Sequence, residues 1–206
     1  IFTVTNGDDG GVGSLRQAIA DANGSAGADE IRFNGVSTVS LTSGELGITD
    51  ELVIIGTNLV TVQRDVGAAS FRIFNVTGSV ETTFNNLTIT NGRTINNGAG
   101  INSNGAITLV NSTVTQNTSS DKGGGIYTRQ AITLTNSTVS DNYSTDRGGG
   151  LYGHNGSIAI ANSTVTGNSS NQYGGGVYTR SQITVTDSTV SNNYSRRNGA
   201  GLYSRS

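Results

Sequence analysis

Four tyrosines in the second half of the chain recur at one position: Tyr127, Tyr152, Tyr178 and Tyr203. Arg129, Arg180 and Arg205 follow two residues later. Residues two apart on an extended segment share a side, so these side chains are expected to form one exposed Tyr/Arg stripe. Phenol rings stack on flat faces and guanidinium groups pair with anions, which makes the stripe a candidate surface for a glycan or other partner. A ladder of stacked side chains with no ligand gives the same pattern and is the favoured reading.

Hydrolytic or lyase chemistry needs carboxylates close together with a cation nearby. The acids of the repeats, Asp121, Asp141, Asp146 and Asp187, fall in different columns or beside Lys122 and Arg147. That placement suggests corner ion pairs. His154, the only histidine, lies between Gly153 and Asn155 and reads as polar loop surface. Asp8 and Asp9, in a glycine-rich loop, are too few for a calcium ligand set. No catalytic residue, cofactor or metal site is assigned, and the chain is read as a non-enzyme.

The elements that position the stripe follow from a repeat. Glycine clusters begin at Gly98, Gly123, Gly148, Gly174 and Gly199, a spacing of about 25 residues. Each is followed by Ile101, Ile126, Leu151, Val177 or Leu202 and then, in the first four, by an apolar pair such as Ile132/Leu134. Next come Asn111, Asn136, Asn162 and Asp187, each opening a Ser-Thr-Val triplet. Alternation as in Ile132-Thr133-Leu134-Thr135 has the two-residue period of strands. Three short strands are expected per repeat, around Ile126–Thr128, Ala131–Thr135 and Ser137–Ser140, pointing Ile126, Ile132, Leu134 and Val139 inward. None can bury a core alone. Stacking one coil on the next, about 4.8 Å away, supplies it.

The expected fold is therefore all-β: a right-handed single-stranded parallel β-helix, or β-solenoid, with about 25-residue coils and one short N-terminal helix. The hand rests on analogy with known coils of this length. Asn111, Asn136 and Asn162 form one column and Asn117, Asn142, Asn168 and Asn193 another; asparagine suits left-handed corners, and stacked amides bond along a column. Glycines form a third corner. One repeat carries an extra residue in Tyr152–Gly156, expected as a bulge or loop.

Residues 1–206 are read as one domain: a strand-helix cap over 1–35, irregular coils over 36–92 and regular Gly/Asn repeats over 93–206. In the cap, Ile1–Thr5 reads as a strand, and Ser14-Leu15-Arg16-Gln17 has capping-box form for a helix over Ser14–Asn23. Ile31-Arg32-Phe33 is expected to start the ladder. Val39–Leu41, Leu46–Ile48, Leu52–Ile55, Val60–Val62, Phe71–Val76 and Thr82–Ile89 are further strands.

The opening FTVTNGDDGGVGSLRQAIADANGSAGADEIRF resembles the CSLREA-type domain of bacterial secreted β-helix proteins. The name-giving motif corresponds to Gly13-Ser14-Leu15-Arg16-Gln17-Ala18, with Gly13 in place of its Cys and Gln17 in place of its Glu. The repeats LTITNGRTINNGAGI and GGGIY are also similar to those proteins and, more loosely, to polymorphic outer-membrane proteins. The resemblance covers essentially the whole chain. It implies an extracellular or cell-surface bacterial protein and carries no agreed catalytic residues.

Composition agrees with a solenoid: 33% hydrophobic residues and 30 glycines, with the clusters from Gly98 onward in strict register. A net charge of −2 does not favour nucleic acid, and no apolar run spans a bilayer. With no Cys there is no disulfide; with no Met, the chain starting at Ile1 reads as the product of signal-peptide cleavage. Sequons at Asn23, Asn75, Asn111, Asn136, Asn142, Asn168 and Asn193 could carry sugar only where the side chain points outward.

The resulting expectation is a secreted or cell-surface structural solenoid that forms a homo-oligomer or polymer head to tail. Its contact would join Ile1, Phe2 and Val4 of one copy to Leu202 and Tyr203 of another, because Gly201–Ser206 reads as an open last coil. A carbohydrate-binding adhesin module, with a surface polysaccharide on the Tyr/Arg stripe, is the alternative. A polysaccharide lyase or hydrolase comes third.

Overall fold

Short alternating segments become one continuous coil in the computed structural model, which describes residues 1–205. All strand pairings are parallel, and equivalent residues of successive coils face one another. Ile107, Ile132, Ile158 and Ile183 form one inward column, and Ile101, Ile126, Leu151, Val177 and Leu202 another. These side chains are essentially inaccessible from Ile101 to Val165, so a single core runs along the axis. Val185 and Leu202, in the last described strands of their sheets, are 38% and 39% exposed. Ser206, the last residue of the expected open segment, lies outside the described residues.

Each regular coil holds four strands, one more than expected. Beside Ile126–Thr128, Ile132–Thr135 and Thr138–Ser140 runs Tyr143–Ser144. Its equivalents build a sheet of their own, five strands deep. Two residues are too few for alternation to reveal. The ladder also starts earlier than expected: Phe2–Val4 is its first rung, pairing with Asp29–Phe33 through Phe2 and Ile31. The extra residue of the long repeat enlarges the turn after Leu151–Gly153, while the strands on either side keep register. It is a loop, not a bulge.

The two asparagine columns divide the expected roles between them. Asn86, Asn111, Asn136 and Asn162 adopt φ near 50° at a kink in the long sheet, and Asp187 adopts it equally well at 49°. The last four of these are exposed. Asn117, Asn142 and Asn168 are buried instead, and their amides join coil to coil: Asn117 Nδ2 donates to Asn142 Oδ1 at 3.0 Å, Asn142 to Asn168 at 2.9 Å and Asn168 to Asn193 at 3.0 Å. At that corner the left-handed residue is the one before, Gln116, Asp141, Gly167 or Asn192. A third ladder went unforeseen. Ser112, Ser137 and Ser163 are buried, and each backbone N–H donates to the next coil's serine hydroxyl at 2.9–3.1 Å. In each Asn-Ser-Thr-Val tetrad the Asn turns the chain, the Ser ties coils together and the Val fills the core.

The N-terminal end is sealed. The helix Leu15–Asn23 is capped by Ser14, whose hydroxyl accepts from Gln17 N–H. Gln17 reaches forward to Asp21 and not back to Ser14, so only half of the capping box forms. Leu15, Ala18, Ile19 and Ala22 cover the first coil's core. Side chains then occupy that coil's strand edges. Asn23 donates to Gly47 O at 2.8 Å and accepts from Thr49 N–H at 2.9 Å, as a neighbouring strand would. Arg16 donates to the carbonyls of Asp9, Gly44 and Glu45 and to the Asp9 carboxylate. Asp9 accepts from Thr42 and Ser43 N–H. The expected docking end therefore differs from an open face: Val4 is fully buried, Phe2 half-buried, and only Ile1 projects, at 80% exposure. What remains of this edge is the three-residue strand Phe2–Val4.

Candidate functional site

The tyrosines stand on the strands Ile126–Thr128, Leu151–Gly153, Val177–Thr179 and Leu202–Ser204, pointing away from the axis. Alternation does put them outside the core, yet they are not exposed. Tyr152 and Tyr178 are 0% and 1% accessible, Tyr127 7%, and only Tyr203 is half-open. The correction has a local cause. After Tyr143–Ser144 the chain turns through Gly148 at φ 64° close against Tyr152, and the rings of Tyr127 and Tyr178 cover its two faces. A Cβ on Gly174 would stand 2.8 Å from that of Tyr178, so only glycine lets corner and ring lie together.

The rings stack along the axis, 5.2 Å from Tyr127 to Tyr152, 4.9 Å to Tyr178 and 5.4 Å to Tyr203, tilted from one another by only 7–8°. The Tyr152 hydroxyl is buried and has no hydrogen-bond partner among the described residues, and burial raises its pKa. Below Tyr127 the column continues as Asn102, Asn75 and Gly47, with Asn102 donating to Asn75 and Asn75 to Glu45.

Two polar columns flank the rings. On the glycine side, Lys122 pairs with Asp121 at 2.6 Å and Asp146 at 3.3 Å. Partial burial disfavours its charge, the carboxylates override this, and its pKa is raised. Arg147 lies beside Asp146 at 3.5 Å and over the rings of Tyr178 and Tyr173 at 5.5 and 5.7 Å. The corner ion pairs read from Asp121 and Asp146 are present. Asp141 and Asp187 sit apart, exposed on the two left-handed corners.

On the other side, Arg129, Arg180 and Arg205 are exposed, and His154 takes the same place in the long repeat. Its ring lies 6.5 Å from Tyr127 and 6.3 Å from Tyr152. Burial first, then the charges of Arg180 and Arg129, lower its pKa. In the sequence His154 reads as loop surface, because the inserted residue hides its alignment with the arginines.

Toward the C-terminal coils lies a cleft of about 260 Å³ lined by Arg147, Tyr173, Tyr178, Tyr203 and Arg205. Tyr173 is clasped there between Arg147 and Arg197, whose guanidinium group lies 5.8 Å from the ring. The column register that places Tyr173 over Arg147 is visible only once the coils are stacked.

Charge is distributed unevenly along the axis. Residues 93–206 hold eight of the twelve Lys and Arg but four of the fourteen Asp and Glu. Among the described residues no group of three His, Cys, Asp or Glu side chains is placed to hold a metal ion. Asp9, considered for a cation, is engaged by Arg16, Thr42 and Ser43. These hydrogen bonds outweigh its desolvation and hold its pKa well below the carboxylate range.

No helix in the described residues is long and apolar enough to cross a membrane. No curated protein and no solved structure matches the chain. One family model matches, described as a right-handed β-helix region, over residues 72–206, more than half of the chain. With in-register parallel coils and a continuous axial core already evident, the chain belongs to the right-handed β-helix family.

Proposed function

We propose that the chain acts as a non-enzymatic structural rod, outside the cell or on a bacterial surface. The observation that carries this reading is the use of its polar side chains: asparagine, serine and tyrosine form ladders that repeat from coil to coil, and Asp121, Asp146, Lys122 and Arg147 are spent on one another. Such a molecule invests its chemistry in its own length. The likeness of Phe2–Phe33 to secreted CSLREA-type domains supports the location. Two measurements test the proposal. Pectin and alginate, with and without calcium, are expected to survive incubation intact; turnover lost in Asp121→Asn or Asp146→Asn overturns the non-enzyme reading. A membrane-impermeant label is expected to reach the protein on intact cells; labelling only after lysis overturns the location.

The cleft at Arg147, Tyr173, Tyr203 and Arg205 favours a second reading, an adhesin that holds an acidic sugar ring between guanidinium groups. Tyr152 and Tyr178, being buried, cannot stack a sugar. The informative variant is therefore Tyr203→Ala with Arg205→Ala, and selective loss of glycan-array retention would place this reading first.

A further inference from the structure

The corner that follows each tyrosine strand forms one edge of the rod. Seven strands in that sheet give seven successive corners, which at about 4.8 Å per coil span about 30 Å. Charge along this edge is ordered. The first corner holds Asp50 and Glu51, the second Glu81, and the third the neutral Asn104-Gly105-Ala106. Arg129, His154, Arg180 and Arg205 occupy the fourth to seventh.

Glu51 and Glu81 lie one above the other, their carbonyls accepting from Asp29 and Leu52 N–H. Arg129 and His154 are likewise one above the other, bonded to the carbonyls of Ser103 and Thr128 in the coils below. Glu51, Glu81, Arg129, Arg180 and Arg205 are all exposed. None of them belongs to an ion pair among the described residues. Bare like charges one coil apart repel, so a pattern of acids at one end and cations at the other leaves both halves unpaired within the monomer.

We propose that this edge pairs with the same edge of a second copy, the two rods lying side by side and antiparallel. A twofold axis at the fourth corner sets Arg129 against its own copy, one repulsion, and matches opposite charges at the corners of highest charge on either side. The corner of Asp50 and Glu51 then lies against the partner's corner of Arg205, that of Glu81 against that of Arg180, and neutral Asn104 against His154, the acids at the long-sheet end of each corner and the cations at its tyrosine-strand end. Each contact occurs twice, as an isologous interface requires. The parallel alternative sets acid against acid and cation against cation. The end-to-end alternative must dock on the sealed N-terminal face. The contact is narrow and built from exposed charges, so it is weak, reversible and salt-sensitive.

Sedimentation equilibrium over a concentration series tests the inference, at roughly 0.05 M and roughly 0.5 M salt, where screening differs several-fold in length. The wild-type chain is expected to dimerise at the lower salt and dissociate at the higher. Arg180→Glu and Glu81→Arg each turn two attractions into repulsions and should weaken the dimer about tenfold. The double variant carrying both restores complementarity and should recover wild-type association. Circular dichroism controls for folding, and both side chains are exposed. A chain that stays monomeric at low salt overturns the inference, and so does a dimer indifferent to salt. A double variant no better than the single ones refutes the antiparallel register.

Discussion

Replacing Asn142 by alanine should cost about twice as much as replacing Asn136, although both are repeat asparagines at corners. Asn142 is 1% exposed. Its Oδ1 accepts from Asn117 N–H and Asn117 Nδ2, both at 3.0 Å. Its Nδ2 donates to the carbonyls of Val114 and Ser140 and to Asn168 Oδ1, each at 2.9 Å. Truncation leaves the Asn117 N–H buried and unpaired, at about 1–3 kcal/mol, and removes further net hydrogen bonds of about 1 kcal/mol each. The Asn117 amide keeps the carbonyls of Ile89 and Thr115, which limits the loss. The sum is about 3–4 kcal/mol. Asn136 is exposed with φ 49°, and alanine there bears only the left-handed strain, about 1–2 kcal/mol; glycine should cost little. Urea unfolding followed by far-UV circular dichroism measures all three. Equal losses at the two sites, or a loss below about 1 kcal/mol for Asn142→Ala, would refute the division of labour.

Three further outcomes follow from the same structure. Val139→Asp places a carboxylate at a fully inaccessible core position, a penalty of several kcal/mol, and should abolish folding; near-normal thermal stability would contradict the packing. Tyr152→Phe removes a buried hydroxyl that has no partner and should leave stability within about 0.5 kcal/mol or raise it, whereas Tyr152→Ala should cost about 3–5 kcal/mol; thermal melts of the pair decide. Asp9 has a folded pKa below its unfolded value, so its contribution is present above about pH 4 and fades as pH falls further. Asp9→Asn should flatten the acid side of the stability–pH curve, and an unchanged acid slope would show that the cap contacts carry no weight.

Much of this fold can be read from the chain because the repeat is strict. Asn111, Asn136 and Asn162 recur at a fixed spacing, and only a few residue types tolerate a left-handed corner. Alternation around Ile132 and Leu134 separates core from surface without ambiguity. The candidate site was less legible. Alternation correctly turns Tyr152 away from the axis, but a two-residue period cannot say that the glycine corner and the rings of the neighbouring coils bury it. Ser137 looks like a surface residue in a Thr/Ser-rich strand; its role in tying coils together depends on a neighbour a full coil away. Arg16 and Asn23 look like ordinary helix residues, and their bonds to Gly44, Glu45, Gly47 and Thr49 exist only once the helix lies across the first coil. The likeness of Gly13–Ala18 to a known motif gave no hint that Arg16 seals a strand edge.

The central claim is that equivalent coils are stacked units, joined by ladders at 25-residue spacing. Deleting Gly123–Arg147 removes one such unit and joins Lys122 to Gly148, so that every column closes again in register: Asn117 on Asn168, Ser112 on Ser163, Ile107 on Ile158. Deleting Gly123–Leu134 removes about half a unit and misaligns every column above the cut. Far-UV circular dichroism with urea unfolding, run on both, is the most direct test. The account predicts that the full-unit deletion folds cooperatively with a native-like spectrum while the half-unit deletion does not. Equal damage from the two deletions would contradict it.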